Sequence, residues 1–489
     1  MNLESYFKQF RRQTIGHRQT YTTPFGRQRM VYADWIASGR LYSPIEKIIT
    51  ETIGPFVGNT HTGTSENGKL MTQAYHLSHN KIKQHVNAGP KDVIITTGFG
   101  MTGAVVKFQR ILGLKSCTLL SDGKCLKDKE RPVIFITHME HHSNHTSWYE
   151  TVADVVVIKP GKDLLFDLNH LEDALKLYSK ERLLIGSFTA CSNVTGVRTP
   201  IHEMAAMMHK YEGKVFVDYA ASAPYEDINM HPGDPMQDLD AIYFSPHKFL
   251  GGPGSSGVLI FNSELYNNRV PDQPGGGTVD WTNRWGEYKF IDDIEIREDG
   301  GTPGFLQAIR TALSMDLKNH MGVSKIRERE EQLLNIAFRE LQAIIGLHIL
   351  AENVTSRLGV ISFYIDSIHY NLVVSFLSDR FGIQVRGGCA CAGTYGHYLL
   401  DVSYEKSQKI TDSISSGDLS EKPGWVRLSL HPTMKDQEVV YIADALKQIA
   451  QNHKIWAKDY NYDKHTNEFR LNRKNPTGPD VNKWLTLQQ

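Results

Sequence analysis

An aspartate and a lysine follow two apolar runs of this 489-residue chain. Asp218 closes the run Lys214–Asp218, and Lys248 comes shortly after the run Ala241–Phe244. A lysine amine can hold the aldehyde of pyridoxal phosphate as a Schiff base, and a carboxylate can keep the pyridine nitrogen protonated, so that the ring acts as an electron sink. The pair therefore predicts a site for pyridoxal 5'-phosphate.

Groups that suit a phosphate lie near this pair in the sequence. Ser245 and His247 precede the lysine and offer hydrogen-bond donors. The glycine-rich segment 96–103 follows one apolar run and precedes a helical stretch, so its free N–H groups and the helix dipole can face an anion. We expect this segment to complete a phosphate site with Ser245 and His247.

Two adjacent histidines, His141 and His142, follow another apolar run. Neighbours in sequence do not usually converge on one ion, and no Glu or His partner stands at helical spacing, so a metal site is not predicted. An imidazole that stacks on a cofactor ring and moves protons is the better interpretation of the pair.

The elements that would position these residues alternate between short strands and helical segments. Apolar runs of this length, rich in β-branched residues and bounded by turn residues, are typical of buried strands. Their alternation with helices predicts an α/β fold with a large, mainly parallel mixed sheet, whose ligands bind at the carboxyl ends of the strands. The predicted strands are Asp92–Thr96, Pro132–Ile136, Val155–Ile158, Leu183–Phe188, Lys214–Asp218, Ala241–Phe244 and Gly257–Phe261.

From about Phe305 the pattern changes to long helices and a second group of strands. Helices are predicted over 304–319, 323–345 and 436–451, and strands over 360–365, 382–386 and 425–429. Two loops, Lys115–Arg131 and Gly393–Lys422, are interpreted as insertions. We therefore predict an N-terminal segment 1–30 that packs on the small domain, a large cofactor-binding domain 31–304, a smaller α+β domain 305–451, and a polar tail 452–489 without periodicity.

Composition argues against several kinds of partner. Lysine plus arginine and aspartate plus glutamate both number 54, so neither a nucleic acid nor a membrane surface is expected to bind. No apolar run approaches the roughly 20 residues of a membrane span, and the polar start of the chain does not resemble a secretory signal. Five scattered cysteines, an odd number, favour a reducing compartment, so a cytoplasmic enzyme is expected.

Taken together, these segments resemble the fold-type I pyridoxal-phosphate enzymes of the class V aminotransferase group. The resemblance is greatest to the group II cysteine desulfurases (selenocysteine-lyase-like) and covers most of the chain from 32 to 449. The segments that carry it are Tyr32-Ala33-Asp34-Trp35, Gly58-Asn59-Thr60-His61, Met139-Glu140-His141-His142-Ser143-Asn144, Ser192-Asn193-Val194-Thr195-Gly196, Val217-Asp218, His247-Lys248, Gly301-Thr302-Pro303 and Arg427-Leu428-Ser429-Leu430.

The resemblance implies roles around the cofactor ring and the substrate. Lys248 would bind the aldehyde, Asp218 would contact the pyridine nitrogen, and His141 would stack on the ring. Asn193 would lie near the cofactor or an amino-acid substrate. Arg427 would hold the substrate carboxylate through a bidentate pair.

The resemblance also implies how the phosphate is bound. Ser245 and His247 would contact it together with the Phe99-Gly100 turn. Thr302 belongs to a segment that would reach the phosphate of a neighbouring subunit, which implies a homodimer.

The reaction type depends on the segment 385–393, Val-Arg-Gly-Gly-Cys-Ala-Cys-Ala-Gly. Group II desulfurases show the pattern Arg-x-Gly-x-x-Cys-Ala, which residues 386–392 match. Cys391 would then take sulfur from L-cysteine as a persulfide and release alanine, Arg386 would supply positive charge and contact the substrate, and a protein could accept the sulfur. Cys389 has no counterpart in that pattern, although molybdenum-cofactor sulfurases also contain a Cys-x-Cys pair. Half a metal site and two inert buried cysteines are the alternatives that the residues leave open.

One position departs from the family. Desulfurases usually carry a glutamine three residues after the aspartate, where Ala221 stands here. The loop Gly393–Lys422 is also longer than the family pattern. A C–S lyase, an amino-acid epimerase or an aminotransferase on the same cofactor is therefore an alternative, as is a scaffold that has lost turnover.

Overall fold

The computed structural model describes residues 2–98, 100–115, 127–178, 182–473 and 480–487. Its strands in chain order are β1 (Thr20–Thr23), β2 (Gly26–Arg29), β3 (Val31–Tyr32), β4 (Asp92–Thr97), β5 (Val133–Thr137), β6 (Asp154–Ile158), β7 (Leu184–Thr189), β8 (Lys214–Asp218), β9 (Ala241–Phe244), β10 (Gly257–Asn262), β11 (Val279–Thr282), β12 (Tyr288–Phe290), β13 (Leu347–Ile349), β14 (Val360–Ile365), β15 (Ile383–Gln384), β16 (Arg386–Gly388), β17 (Trp425–Ser429), β18 (Tyr460–Asp463) and β19 (Glu468–Leu471). Its α-helices are α1 (Leu3–Gln13), α2 (Ser43–Lys47), α3 (Glu66–His85), α4 (Gly100–Ile111), α5 (Thr146–Tyr149), α6 (Leu168–Tyr178), α7 (Ile201–Lys210), α8 (Ile294–Arg297), α9 (Phe305–Met321), α10 (Val323–Gln342), α11 (Tyr370–Phe381), α12 (Gly393–Leu399), α13 (Tyr404–Ser415) and α14 (Asp436–Trp456).

The centre of the larger lobe is a seven-stranded sheet in the order β4-β10-β9-β8-β7-β5-β6. Strand β10 runs antiparallel to β4 and β9, and the other described pairs of this sheet are parallel. Strands β5, β7 and β9 are buried along their whole length, which explains why their sequences are continuous apolar runs rather than alternating ones. The predicted α/β fold is confirmed, and the seven predicted strands agree with the observed ones to within one residue at each end.

Helices cover both faces of this sheet. Successive strand residues point to opposite sides, so Ile94 packs in one apolar layer and Ile95 in the other. Residues of α4 and α5, such as Phe108, fill the layer of Ile95, whereas residues of α3, α6, α7 and α9, such as Met204, fill the layer of Ile94. The sheet is therefore held rigidly between two apolar layers, and its carboxyl edge is a fixed platform.

A four-stranded antiparallel sheet, in the order β13-β14-β17-β16, forms the smaller lobe with α10, α11 and α14. The predicted strand 382–386 is divided here. Ile383–Gln384 pairs with β3 from the N-terminal part of the chain, whereas Arg386–Gly388 pairs with β17. An apolar run does not reveal that its hydrogen-bond partner changes in the middle, so the sequence shows one strand where the fold has two.

The N-terminal segment contacts the second half of the chain. The Arg11 guanidinium donates from Nη1 to the Thr433 carbonyl (3.0 Å), and the Tyr21 hydroxyl donates to the Ser378 carbonyl (2.6 Å). These contacts agree with the predicted packing of the N-terminal segment on the small lobe. The predicted domain boundaries, after residues 30, 304 and 451, stay a prediction.

The tail is more ordered than its lack of periodicity predicts, because β18 and β19 pair as a hairpin. Strands of four residues are too short to show an alternating pattern, and the hairpin is held instead by tertiary contacts such as the ring of His369 against those of Tyr462 and Phe469. The predicted insertion Gly393–Lys422 contains α12 and α13. Most of the other one, Lys115–Arg131, lies outside the described residues. Within the described ranges, no helix has the length and apolar character that a bilayer crossing requires.

Candidate active site

A cavity of about 510 Å³ lies at the carboxyl edge of the large sheet and is lined from both lobes. Asp218 ends β8, and Lys248 lies on a short helical turn after β9 together with His247, which Ser245 precedes. All four residues line the cavity, and we call them the strand-end group. Because β8 and β9 pair in parallel, their carboxyl ends lie side by side and bring the carboxylate and the amine to one place.

Burial controls the protonation of this carboxylate and amine. It raises the pKa of Asp218 to about 6, although the Ala220 N–H donates to Oδ1 (2.8 Å) and favours the charged form. Burial also lowers the pKa of Lys248 to about 8, and the nearby charge of Asp218 offsets only part of that effect. The amine is therefore partly neutral near neutral pH, which is the form that adds to an aldehyde. A positive group beside Asp218 would favour its ionised form.

The glycine-rich turn at the start of α4 closes one side of the cavity. The Met101 N–H donates to Ser245 Oγ (2.8 Å), which ties this turn to the strand-end group. Gly100 has a φ of 61°, and a Cβ at this position would lie 2.9 Å from both Ser245 Oγ and His247 Cε1. Glycine is therefore required for the close approach, as at other phosphate-binding turns. Phe99, predicted to act here as well, lies outside the described residues.

His141 and Asn193 line the cavity beside Lys248. Burial, and secondly the charge of Lys248, lower the pKa of His141 to about 3, so its imidazole is neutral. Its Nδ1 accepts the Ser143 N–H (3.1 Å), and the proton of the neutral ring is therefore on Nε2. The Asn193 amide donates from Nδ2 to the Ala390 carbonyl (2.8 Å), while its buried Oδ1 has no partner among the described residues.

Two arginines share one carboxylate at another side of the cavity. Asp34 accepts from the buried Arg427 at 3.1 Å and from the half-exposed Arg386 at 3.2 Å. Arg427 also donates from Nη1 to the Asn193 carbonyl (3.2 Å), and its buried Nε has no partner among the described residues. One carboxylate between two guanidinium groups leaves excess positive charge, which suits a substrate carboxylate. Asp34 belongs to a segment that carries the family resemblance, but its pairing with these arginines was not predicted, because 352 and 393 positions separate them.

Residues Cys389–Ala392 form a tight turn at the cavity wall, which we call the cysteine turn. The Ala392 N–H donates to the Cys389 carbonyl (3.0 Å), and the central residues Ala390 and Cys391 have φ values of 51° and 56°. Positive φ at both central positions is the pattern of a type I′ turn, which normally contains glycine or asparagine. Cys391 is exposed and Cys389 half-buried, and both line the cavity, so the alternative of two inert buried cysteines is not supported.

Residues of the large lobe hold the cysteine turn in place. Asn193 binds the Ala390 carbonyl, and the His142 N–H donates to the Cys391 carbonyl (2.7 Å). The Gly393 N–H in turn donates to His142 Nε2 (3.0 Å). The histidine pair was conspicuous in the sequence, but this contact with the cysteine turn was not predicted from it.

The outer wall of the cavity comes from segments that the sequence analysis did not connect with the site. The Tyr370 hydroxyl donates to the Lys422 carbonyl (3.2 Å) and accepts from Asn467 Nδ2 (2.7 Å). Asn371 Nδ2 donates to the Asn467 carbonyl (2.6 Å). Lys422 ends the predicted insertion, and Asn467 precedes β19 in the hairpin of the tail, so both of these regions contribute to the site.

Thr302 and Ala221, two further positions considered in the sequence, differ in their exposure and in their relation to the cavity. Thr302 is exposed and does not line the cavity of its own chain. Ala221 is buried and lines the cavity without offering a side-chain hydrogen bond. Among the described residues, no three His, Cys, Asp or Glu side chains are arranged to hold a metal ion.

The residues that line the cavity fit pyridoxal phosphate. A carboxylate and a partly neutral amine lie together, and a glycine turn leaves room that a side chain would fill. The buried Asn193 Oδ1 and Arg427 Nε lack hydrogen-bond partners within the described part of the chain. Fold and site together define a fold-type I pyridoxal-phosphate enzyme. The family model for Aminotransferase class-V matches residues 31–442, so the chain belongs to this family, whose members depend on that cofactor.

The chain is similar in sequence to several cysteine desulfurases and probable cysteine desulfurases. A probable cysteine desulfurase of Staphylococcus epidermidis is 28% identical over 371 residues, which are 75% of this chain and 84% of that protein. A cysteine desulfurase of Haloferax volcanii is 24% identical over 422 residues, which are 82% of this chain and 92% of that protein.

Solved structures share the fold. The apo structure of a cysteine desulfurase from Thermococcus onnurineus superposes with a TM-score of 0.72 at 21% identity, covering 91% of this chain and 98% of that one. A cysteine desulfurase from Escherichia coli gives a TM-score of 0.68 at 20% identity, with the same coverage.

Proposed function

We propose that the chain is a cysteine desulfurase, which removes the sulfur of L-cysteine and yields alanine, with Cys391 as the first sulfur acceptor. The observation that carries this proposal is that Cys391 lines the same cavity as Lys248 and Asp218. Sulfur transfer needs an accessible thiol beside the cofactor amine, whereas an aminotransferase or an epimerase needs no thiol there. The names of the relatives support the same reaction.

The strand-end group would hold the cofactor. Lys248 would bind its aldehyde and Asp218 its pyridine nitrogen, while Ser245 and His247 would bind its phosphate beside the Gly100 turn. When bound, pyridoxal phosphate withdraws electrons from the substrate carbon attached to the amine and so weakens the neighbouring bonds.

Proton movement falls to Lys248 and His141. With a pKa near 8, Lys248 can accept a proton at Nζ and return it at neutral pH. His141 carries its proton on Nε2, because Nδ1 accepts the Ser143 N–H, so the neutral ring can assist by donating a hydrogen bond into the cavity from Nε2.

The two arginines would orient the substrate. Arg427 is fixed by Asp34 and by the Asn193 carbonyl, and its free Nε–H can bind the substrate carboxylate. Arg386, which is paired with the same aspartate, adds a second positive charge. Asn193 is hydrogen-bonded to both Arg427 and the Ala390 carbonyl. It would therefore fix the position of the substrate-binding arginine relative to the acceptor Cys391.

Sulfur transfer falls to Cys391. Its thiolate attacks the substrate sulfur, so that an S–S bond forms while the bond from sulfur to Cβ breaks and leaves its electron pair on carbon. A proton then takes the place of sulfur on that carbon, alanine leaves, and Cys391 carries a persulfide.

Other partners follow from the same proposal. We propose a homodimer, in which the exposed Thr302 segment reaches the phosphate of a second copy, and a protein that accepts the persulfide sulfur. A cytoplasmic location is proposed as well, and the odd number of scattered cysteines supports a reducing compartment.

The test is product analysis with L-cysteine and a reductant, comparing the wild type with Cys391→Ala. We expect the variant to keep cofactor absorbance and to lose alanine formation by at least about 100-fold, the scale for losing a group that takes part directly in the chemistry. Cys191→Ala is the matched control, because Cys191 also lines the cavity but is buried, and burial raises the pKa of its thiol well above the ordinary value. Unchanged alanine formation by Cys391→Ala would refute the proposal, and pyruvate, an inverted amino acid or an oxo-acid as product would favour another reaction on this cofactor.

A further inference from the structure

The cysteine turn brings two thiols to one cavity, and the proposed reaction uses only one of them. We infer that Cys389 and Cys391 act as a dithiol pair: Cys389 displaces the acquired sulfur from Cys391 as hydrogen sulfide, and a Cys389–Cys391 disulfide is left behind. This inference rests on the proposed desulfurase reaction and adds to it a second step, in which sulfide is released without an acceptor protein.

The shape of the turn favours a bond between the two cysteines. They occupy the first and third positions of a β-turn closed by the hydrogen bond from the Ala392 N–H to the Cys389 carbonyl (3.0 Å). The chain folds back within such a turn, which keeps these positions close to the Cα separation usual for disulfides, about 4.4–6.8 Å. In an extended Cys-x-Cys segment the two side chains would lie on the same face, but their Cα atoms would be about 6.4–6.8 Å apart, at the upper end of that range.

The turn is held in an unfavourable backbone conformation by its surroundings. Ala390 and Cys391 both have positive φ, which costs energy for residues other than glycine and persists only where neighbouring contacts impose it. Asn193, His142 and Gly393 supply those contacts at 2.7–3.0 Å. Holding Cys391 alone at the cavity does not require a tight turn, whereas a tight turn brings Cys389 nearer to Cys391 than an extended segment would.

The surroundings of the two thiols also differ in a useful way. Cys391 is exposed at the cavity, where a substrate sulfur can be attacked, and Cys389 is half-buried against the apolar cluster of Met139, Val194 and Trp425. Both still line the open cavity, so small molecules can enter and sulfide can leave.

The chemistry of the step balances without a further oxidant. The Cys389 thiolate attacks the sulfur of Cys391 that bears the extra atom, an S–S bond forms between the two residues, and the bond to the terminal sulfur breaks. That sulfur leaves with the electron pair as hydrosulfide, so it is reduced while the two cysteines are oxidised. A dithiol reductant, small or protein-borne, then reduces the disulfide and prepares the enzyme for the next cycle.

The test is a single turnover of the holoenzyme with L-cysteine, without oxygen or reductant, followed by acid quenching, alkylation and peptide mass spectrometry. In the wild type we expect about one sulfide per alanine formed and a loss of two hydrogens within the peptide that contains both cysteines. In Cys389→Ser we expect the ratio of sulfide to alanine to fall close to zero, with the extra sulfur retained on Cys391.

The outcomes separate this inference from the proposed function. Alanine without a disulfide in the wild type, with the sulfur still on either cysteine, would overturn the inference and leave the desulfurase reaction standing. Absence of alanine from both proteins would overturn both. A second measurement needs no turnover: mild oxidation of the apoprotein by diamide should form the Cys389–Cys391 disulfide in the wild type and not in Cys389→Ser, and failure to form it would overturn the inference on geometry alone.

Discussion

The strand-end group and the cysteine turn face the same cavity but are built in opposite ways. The first lies at the ends of two parallel strands of the large sheet, where Asp218 and Ser245 are buried and His247 and Lys248 are partly buried. The second lies on a turn after β16, is partly exposed, and keeps its shape through three hydrogen bonds to side chains and backbone across the cavity.

The difference teaches how placement suits chemistry. Lys248 and Asp218 need shifted pKa values, and burial at a rigid sheet edge supplies the desolvation that shifts them. The cysteines must meet a substrate and release a product, which requires access rather than burial. Strand ends therefore carry the groups whose protonation matters, and a clamped turn carries the groups that must stay reachable.

The largest expected effect concerns the pH dependence of the amine at the strand end. In the apoprotein, labelling of Lys248 by a small neutral acylating reagent should rise about 10-fold per pH unit below about 8 and level off above it, because only the neutral amine reacts. Between pH 6 and 8 the neutral fraction rises from about 1% to about one half, so the rate should change by about 50-fold, as measured by competitive labelling and peptide mass spectrometry.

Asp218→Asn is the matched control for that profile. The negative charge of Asp218 raises the pKa of Lys248, so its removal should move the bend in the profile to lower pH. A labelling rate that climbs steadily to pH 10 in the wild type would mean that burial does not control this amine, and the comparison with the cysteine turn would fail.

An intermediate effect is expected from a methyl group in the phosphate turn. Gly100→Ala places a Cβ in contact with Ser245 and His247 and forces a positive φ on alanine, which costs about 1–2 kcal/mol. Cofactor affinity of the apoprotein, followed by absorbance titration, should fall about 10-fold or more. Gly98→Ala serves as control, because a Cβ there would lie more than 4 Å from the other described atoms considered, and equal losses in both variants would refute the assignment of the Gly100 turn to the phosphate.

The smallest effect is expected at the cysteine turn. His142→Ala removes the acceptor of the Gly393 N–H, a bond worth about 0.5–1.5 kcal/mol, so the turn should loosen. We expect alanine formation to fall several-fold and alkylation of Cys391 by iodoacetamide to quicken, while cofactor absorbance stays unchanged.

His145→Ala controls for loss of a neighbouring ring, since the hydrogen bond of His145 to α12, with Thr394, is long at 3.4 Å. If His142→Ala altered the cofactor spectrum as strongly as the alkylation rate, the two regions would not be separable in the way that we describe.

Much of the fold and part of the site could be predicted from the sequence. Strands β5, β7, β8 and β9 are continuous apolar runs, and the lysine and aspartate stand at their ends, so local pattern and chemistry agree there. The division of 382–386 between two sheets and the hairpin at 460–471 could not be predicted, because hydrogen-bond partners far along the chain decide both.

The sequence by itself determined the α/β architecture, the lysine and aspartate pair, and the presence of a Cys-x-Cys segment, because these depend on residue type and short-range periodicity. Only the tertiary structure decided that Asp34 joins two arginines, that His142 and Asn193 hold the cysteine turn, and that Tyr370, Lys422 and Asn467 form the outer wall. The physical reason is that each of these contacts joins residues about 50 to nearly 400 positions apart, where no local period or propensity carries information about the partner.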